Sequence, residues 1–545
     1  MATEVLNTNI AALEPHNPTL ATALRASAHQ STQSPVVLVK ARGGGYSARL
    51  TTGDRPWLHS AYHPEREADR RVHTVPTAAT LVCHGLGAGW IPRAYLREHR
   101  RSTVIVVEPS IAALRESLGV VDFHEPLESS RLVLVRDAQE LRETLLRVHH
   151  PSIADGVARY ALPGRGADPA CTQIFHECAS VISETLQEIA AELATLRRFG
   201  RSWLTHTVIN SRRLASTSLA EGLNALPQIL ADIEAVGAAG PGLDRAIARG
   251  VVEPQRTLAV DTALPALRAR GLIPSAVVSL DPQGWSILHL RDPLPSPSVL
   301  VADLGVAPAV LTSAHRLVLL ASRHPLHQLL ATQFPVLLRL NQGMQSVTEL
   351  AVFLAPGTRT LQVYGADGAF PRGQTYARGT YHYGHHLQRQ HRLAPLPGLF
   401  AAPLYRTARA HADADGNPVF TTPQMSEQHS ALQACIATRG GRNGTAPGSL
   451  EFPSHDRAFQ PTHAELRRFW NTHAASLTAR AAALRVVGPR STPEILADLQ
   501  SDGRAHLPFH AARSRSARET SEREVAASLD EASQIITKII ETRRR

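Results

Sequence analysis

The sequence predicts an α/β protein built from two Rossmann-like, doubly wound domains and a mainly helical C-terminal region. Three observations predict it. Two separate blocks alternate short, wholly apolar runs with segments of helical period, the pattern of parallel strands covered on both faces. A long amphipathic stretch lies between the blocks. The tail has no comparable strand runs and repeats its apolar residues at helical spacing. The chain has 545 residues, of which 43% are hydrophobic and 19% charged. That length allows roughly three to four folding units, and the balance excludes a disordered, collagenous or coiled-coil chain.

The first block, in a domain spanning 1–175, has strand patterns at 36–39, 79–83, 104–107 and 132–135. From 176 to 199 Val181, Ile182, Leu186, Ile189, Leu193 and Leu196 fall on one helical face, with Gly200 placed as a stop. This opens a helical connector at 176–228. The second block, 229–405, has strand patterns near 233–236, 257–260, 276–280, 299–301, 317–320 and 361–364. The region 406–545 is Pro/Gly-rich at first and helical from 462. Its last segment begins with Ser521 and Glu524 as a capping box and aligns Val525, Leu529, Ala532, Ile535, Ile536, Ile539 and Ile540 on one face. Such a helix packs on its own domain or in a dimer, or docks on a partner.

Composition excludes several functions. The formal charge is +10, yet among 57 Lys and Arg residues the only lysines are Lys40 and Lys538. A P-loop or a protein kinase, each of which needs a phosphate-binding lysine in a fixed motif, cannot be built. The basic residues are spread rather than clustered, so no nucleic-acid partner is expected, while a nucleotide sugar or phosphate remains compatible. Cys83, Cys171, Cys178 and Cys435 form no C-x-x-C pair, and fit a reducing compartment. No secretory signal and no uncharged apolar stretch of spanning length occurs, so the expected location is the cytoplasm.

Polar residues and glycines gather where strands are expected to end. Gly85, Gly87 and Gly89 follow the run at 79–83, and Glu108 follows the run at 104–107. Such glycines admit a ligand close to the backbone and such an acid can bind ribose hydroxyls; the alternative is a tight turn without a ligand. In the second block Gly240, Pro241 and Gly242 follow the first strand, Asp261 and Thr262 the next, and Asp281 and Gln283 the one after. Gln342, Gly343 and Asp367 occupy later polar turns. All would meet at the carboxyl edge of the sheet, where ligands bind in open α/β folds. His382, His385 and His386 offer a general base or a solvated loop. No G-x-S-x-G or H-E-x-x-H motif is present, which lowers two hydrolase classes.

These motifs resemble those of the motility accessory factors, a family of bacterial flagellin glycosyltransferases whose central domain is related to archaeal-type 6-hydroxymethylpterin diphosphokinase. Leu58 to Pro64, Gly85 to Gly89 and Val107 to Ser110 are similar to its N-terminal domain. Ala239 to Asp244, Ala259 to Ala263, Val278 to Gln283, Gly365 to Asp367 and Thr375 to Gly379 follow the order of its central domain, and Asp415 to Thr421 resembles a stretch beyond. The resemblance implies a sialyltransferase-like core that transfers a nonulosonic acid from a CMP-sugar to Ser or Thr of flagellin, supporting flagellum assembly and motility. It implies Gly240, Asp261, Asp281, Gln283, Gly343 and Asp367 as donor-site residues, with Asp281 or Asp367 as base and His382 or His385 as further candidates. Clustered Asp residues suit Mg²⁺, although sialyltransferase-like relatives also work without a metal. The family usually has Ser at the position of Gly242 and Gly at that of Gln342. A non-catalytic flagellin-binding or assembly factor, or a pterin diphosphokinase-like enzyme, are the alternatives.

Overall fold

The computed structural model describes residues 2–27, 34–51, 57–150, 152–154, 156–165, 169–340, 344, 346–356, 360–371, 373–412, 418–438, 450–451, 460–486, 489–513 and 522–542. The chain divides into two compact units, residues 1–200 with 475–533 and residues 201–474 with 534–545. Of the mainly helical C-terminal region 406–545, residues 475–533 fall in the first unit and the rest in the second. Both units are mixed α/β with parallel sheets.

In the first unit β1 (Val36–Lys40) and β2 (Tyr46–Leu50) form an antiparallel hairpin. The expected strand at 36–39 therefore lies outside the parallel sheet. Only five residues, three of them glycine, separate the two strands, far too few for a parallel crossover. The sheet proper contains β3 (Thr80–His84), β4 (Thr103–Val107), β5 (Leu132–Val135) and β6 (Val157–Ala161), all parallel, in the order β5-β4-β3-β6. Every residue of β3 and β4 is buried, as their unbroken apolar runs require. β6 escaped notice in the sequence because Arg159 and Tyr160 interrupt its pattern; it is an edge strand and only partly buried.

The helix expected at 176–199 runs from Pro169 to Asn210. Gly200 is not its stop. A Cβ there would collide with the carbonyl of Pro508, so the glycine serves a close approach of helix Leu507–Arg513.

The second unit carries β7 (Ala235–Gly237), β8 (Thr257–Val260), β9 (Ala276–Ser279), β10 (Leu294–Asp303), β11 (Ala314–Ala321), β12 (Leu338–Leu340) and β13 (Gln362–Tyr364). Beyond them lie β14 (Phe370–Pro371), β15 (Arg409–Ala412), β16 (Pro418–Thr421) and β17 (Leu450–Glu451). The main sheet is ordered β13-β7-β8-β9-β10-β11-β12-β17, parallel except for β17, and β14-β16-β15 form a small antiparallel sheet. From β7 to β12 the chain advances strand by strand; β13 then returns to the far side of β7. This reversal brings the loops after β7 and β13 side by side at the carboxyl ends of the strands, the place where ligands bind in open α/β sheets. The buried faces of β7 to β12 and helix Val347–Leu354 form one apolar core.

The C-terminal helix, Glu522–Glu541, buries Val525, Leu529, Ala532 and Ile536 within the chain. Ser521 lies outside the described residues. Among the described residues no helix is long and apolar enough to cross a membrane.

Candidate functional site

The loops after β7 and β13 meet at the reversal. Gly240 N–H donates to the carbonyl of Gly365 at 2.8 Å, and Ala238 N–H to that of Tyr364 at 2.7 Å. A Cβ on Gly240 would run into the Gly365 carbonyl, and one on Gly242 would sit 2.6 Å from Asp367 Oδ1. Gly365 itself has φ +74°, a conformation that favours glycine. The glycines at 240, 242 and 365 are thus explained by the contact of two turns.

Asp367 is central to that contact. Its Oδ2 accepts the Gly242 N–H at 2.8 Å and its Oδ1 accepts Nη2 of Arg245 at 2.9 Å. Gly242, at the start of helix Gly242–Ala248, is among the strand-end positions where the sequence places a ligand. In the structure the protein's own carboxylate sits there, neutralised by a guanidinium one turn along. Asp244 is engaged too, accepting from Nε2 of Gln374 and from the Arg378 N–H. Pro241 is buried and begins the turn.

At the next strand ends lie Asp261 and Asp281. Asp261 is fully buried; it accepts Ser279 Oγ–H at 2.6 Å and the Thr262 N–H at 2.7 Å. Burial, opposed by these two hydrogen bonds and reinforced by the charge of Asp281, pushes its carboxyl up to about 6. Asp281 is half-buried and receives the Gln283 N–H at 2.9 Å, with Nε2 of Gln283 at 3.3 Å. Gln283 thereby orients Asp281.

The histidine tract joins this end of the site. It is a helix, Tyr381–Arg389, whose N-terminus is capped by Thr380 Oγ1 accepting the Tyr383 N–H at 3.2 Å. The ring of His382 stacks on Tyr376 at 4.5 Å between centroids and lies 5.3 Å from that of His289. Desolvation and then the neighbouring His386 and His385 lower the affinity of His382 for a proton, with the charge of Asp281 acting the other way. His289 is driven down to about 4 by burial and by His382, and its Nδ1 makes no hydrogen bond. Both imidazoles are neutral at physiological pH. Tyr376 enters the sequence reading only as part of the stretch Thr375 to Gly379 and His289 not at all; the signal for His289 is its position in the turn Gly284–His289 directly after Asp281 and Gln283.

A cavity of about 260 Å³ opens between these elements, lined by Gly240, Thr262, Ser346, Asp367, Tyr376 and His429 among others. Hydroxyl, imidazole and backbone groups from several loops converge on it, and Tyr376 links it to His382. Gln342 and Gly343 lie outside the described residues. Among the described residues, no group of three or more His, Cys, Asp or Glu is arranged to hold a metal ion.

The glycine turn of the first unit also lies where the strand order reverses, between β3 and β6, but it is packed with side chains. A Cβ on Gly85 would meet Arg165 Cγ at 2.7 Å, one on Gly87 would meet Leu162 at 2.7 Å, and one on Gly89 would overlap Phe123. Glu108 and Arg165 are both fully buried and paired at 2.5 Å, and Glu108 also accepts the Leu86 and Ser110 N–H groups. His59 Nε2 accepts the Ala88 N–H at 3.1 Å, and its burial drives it down to about 3. In this arrangement Glu108 has no oxygen left for a ribose.

The structure of MAf glycosyltransferase from Magnetospirillum magneticum AMB-1 aligns with a TM-score of 0.56 over 99% of this chain and 96% of that one, at 14% sequence identity. The fold is shared with a MAf glycosyltransferase. An uncharacterized protein of Treponema pallidum (strain Nichols) is 27% identical over 239 residues, which is 42% of this chain and 78% of that protein. No family model matches the sequence. The structural likeness extends over both units, so the first unit is part of the common architecture and not an addition to it.

Proposed function

We propose that this protein is a glycosyltransferase that moves a nonulosonic acid from a CMP-sugar to Ser or Thr hydroxyls of flagellin. The observation that carries the reading is the alignment of the whole chain with a MAf glycosyltransferase, and the site at the β7–β13 reversal is compatible with it. The donor would enter the cavity lined by Gly240, Thr262 and Tyr376. Cleavage of the bond between the anomeric carbon and the CMP phosphate oxygen requires the acceptor hydroxyl to lose its proton as it attacks. His382 is the base we assign: it is neutral, half-buried, held by the Tyr376 ring and within the field of Asp281. Asp281 would stabilise the imidazolium that forms, as a carboxylate beside a histidine does. Asp367 is less suited to proton transfer, because both its oxygens are occupied by Gly242 and Arg245.

That occupancy also favours a second reading, in which the chain binds flagellin without catalysis. Intact mass spectrometry separates the two. Flagellin from cells lacking the gene is compared with flagellin from cells carrying the wild type, His382→Gln or Asp281→Asn. Loss of mass in units of a nonulosonic acid in the deletion and in the variants supports transfer. Full modification with both variants, or with the deletion, defeats it.

A further inference from the structure

A second cavity, of about 900 Å³, adjoins the first and shares Pro241, Asp367 and Ala369 with it. Its walls come from helix Gly242–Ala248, the segment after helix Leu264–Arg268, the turn at 374–378 and the strands β14 and β16. Four guanidinium groups line it, those of Arg245, Arg249, Arg270 and Arg378, against two carboxylates, Asp244 and Asp367.

Both carboxylates are already engaged. Asp367 is held by Gly242 and Arg245, and Asp244 by Gln374 and the backbone of Arg378. The guanidinium groups of Arg249, Arg270 and Arg378 have no carboxylate partner among the described residues. They come from three different segments of chain, are exposed at the surface and contribute to the lining of one concavity together with Ile247, Ala266 and Val419. Like charges collected in a cleft raise its potential and attract counter-ions. Guanidinium forks bind the oxygens of phosphate in pairs.

We infer that this cavity is a binding site for a small phosphate-bearing molecule, with Arg249, Arg270 and Arg378 holding the phosphate. Its volume, about 900 Å³, falls in the range of small-molecule sites, roughly 300 to 1,000 Å³. The inference rests on charge balance and shape, and stands whether or not the chain transfers a sugar.

The test is isothermal titration calorimetry of the full-length protein with inorganic pyrophosphate, CMP, cytidine and a glutamate-rich peptide. The wild type is compared with Arg270→Gln, Arg378→Gln and the double variant, each checked by circular dichroism. Only the side chain of Arg378 changes, so its backbone bond to Asp244 survives. Saturable binding of pyrophosphate or CMP, no binding of cytidine, and a loss of about tenfold in affinity per arginine would bear the inference out. Pyrophosphate binding alone would assign the site to free phosphates; binding of CMP as well would assign it to a nucleotide phosphate. Absence of saturable pyrophosphate and CMP binding at low salt, unchanged affinity in a folded double variant, or a peptide that pyrophosphate cannot displace would each overturn it. None of these readings needs a transfer reaction, so failure of the glycosyltransferase proposal would be seen separately, in flagellin mass.

Discussion

Replacing Asp261 with Asn should make the second unit more stable at neutral pH, and the gain should grow as pH rises. Asp261 is fully buried and its carboxyl is raised from 3.8 to about 6, chiefly by desolvation. A carboxyl whose folded value is raised binds its proton more tightly in the folded state. Its stabilising effect is therefore complete below 3.8 and lost as pH climbs through 6. A shift of about two units corresponds to about 3 kcal/mol at 1.36 kcal/mol per unit, and roughly half of this falls between pH 5 and pH 8. Asn has the same shape, can still accept the Thr262 N–H, and can donate to Ser279 once that hydroxyl rotates. Thermal melts of wild type and variant at pH 5 and pH 8 give the comparison, and the other titrating groups cancel in the double difference. At about 2 to 4 °C per kcal/mol, the gap in Tm should widen by about 3 to 6 °C at the higher pH. A gap independent of pH, or one that narrows, would refute the assignment of a protonatable, desolvated carboxyl to this position.

Gly240→Ala should cost about 1 to 3 kcal/mol by overpacking, because its Cβ meets the Gly365 carbonyl and Asp367; melting of the variant checks this, and an unshifted Tm would show that the two turns are not in contact. Glu108→Ala removes the carboxylate that pairs with the buried Arg165 and should cost about 3 to 5 kcal/mol, seen as early unfolding of the first unit in limited proteolysis. Cys83 is buried and its thiol is pushed up to about 12, so it should resist alkylation at pH 8 in the native protein and react only after unfolding. If His382 is the base, its lowered proton affinity puts the midpoint of the acid limb of the transfer rate below 6.5, and that limb should vanish in His382→Gln; a midpoint at or above that value would count against it.

The sequence shows its fold most clearly where burial removes alternatives. β3, β4, β8 and β9 are buried at every residue, and no other arrangement satisfies such short apolar runs between helical segments. Legibility fails where one residue type serves two purposes. Gly200 has the look of a helix stop and is instead a contact surface, and β6 hides behind an arginine and a tyrosine at a sheet edge. The candidate site divides in the same way. Asp261, Thr262, Asp281 and Gln283 lie at consecutive strand ends and were legible from strand periodicity alone. The engagement of Asp367 by Gly242 and Arg245 spans more than 120 residues of chain, and the approach of His382 to His289 depends on tertiary packing. No local pattern encodes either.

The two glycine turns make the same point in functional terms. Each follows a strand beside which the sheet order reverses, and each has a carboxylate at the end of the neighbouring strand, Glu108 after β4 and Asp261 after β8. Their outcomes differ because of what the returning strand delivers. The loop after β6 carries Leu162 and Arg165, whose bulk fills the space over the glycines and whose charge consumes Glu108. The loop after β13 carries Gly365, Ala366 and Asp367, small enough to leave an opening beside the turn. Replacing Arg165 with a smaller residue would not recreate a ligand site, because it would strand Glu108 as a buried unpaired charge. In this chain the glycine turn at a strand end keeps an opening beside it where the returning loop is small and loses it where that loop carries Leu162 and Arg165, and in both cases the returning loop lies far away in the sequence.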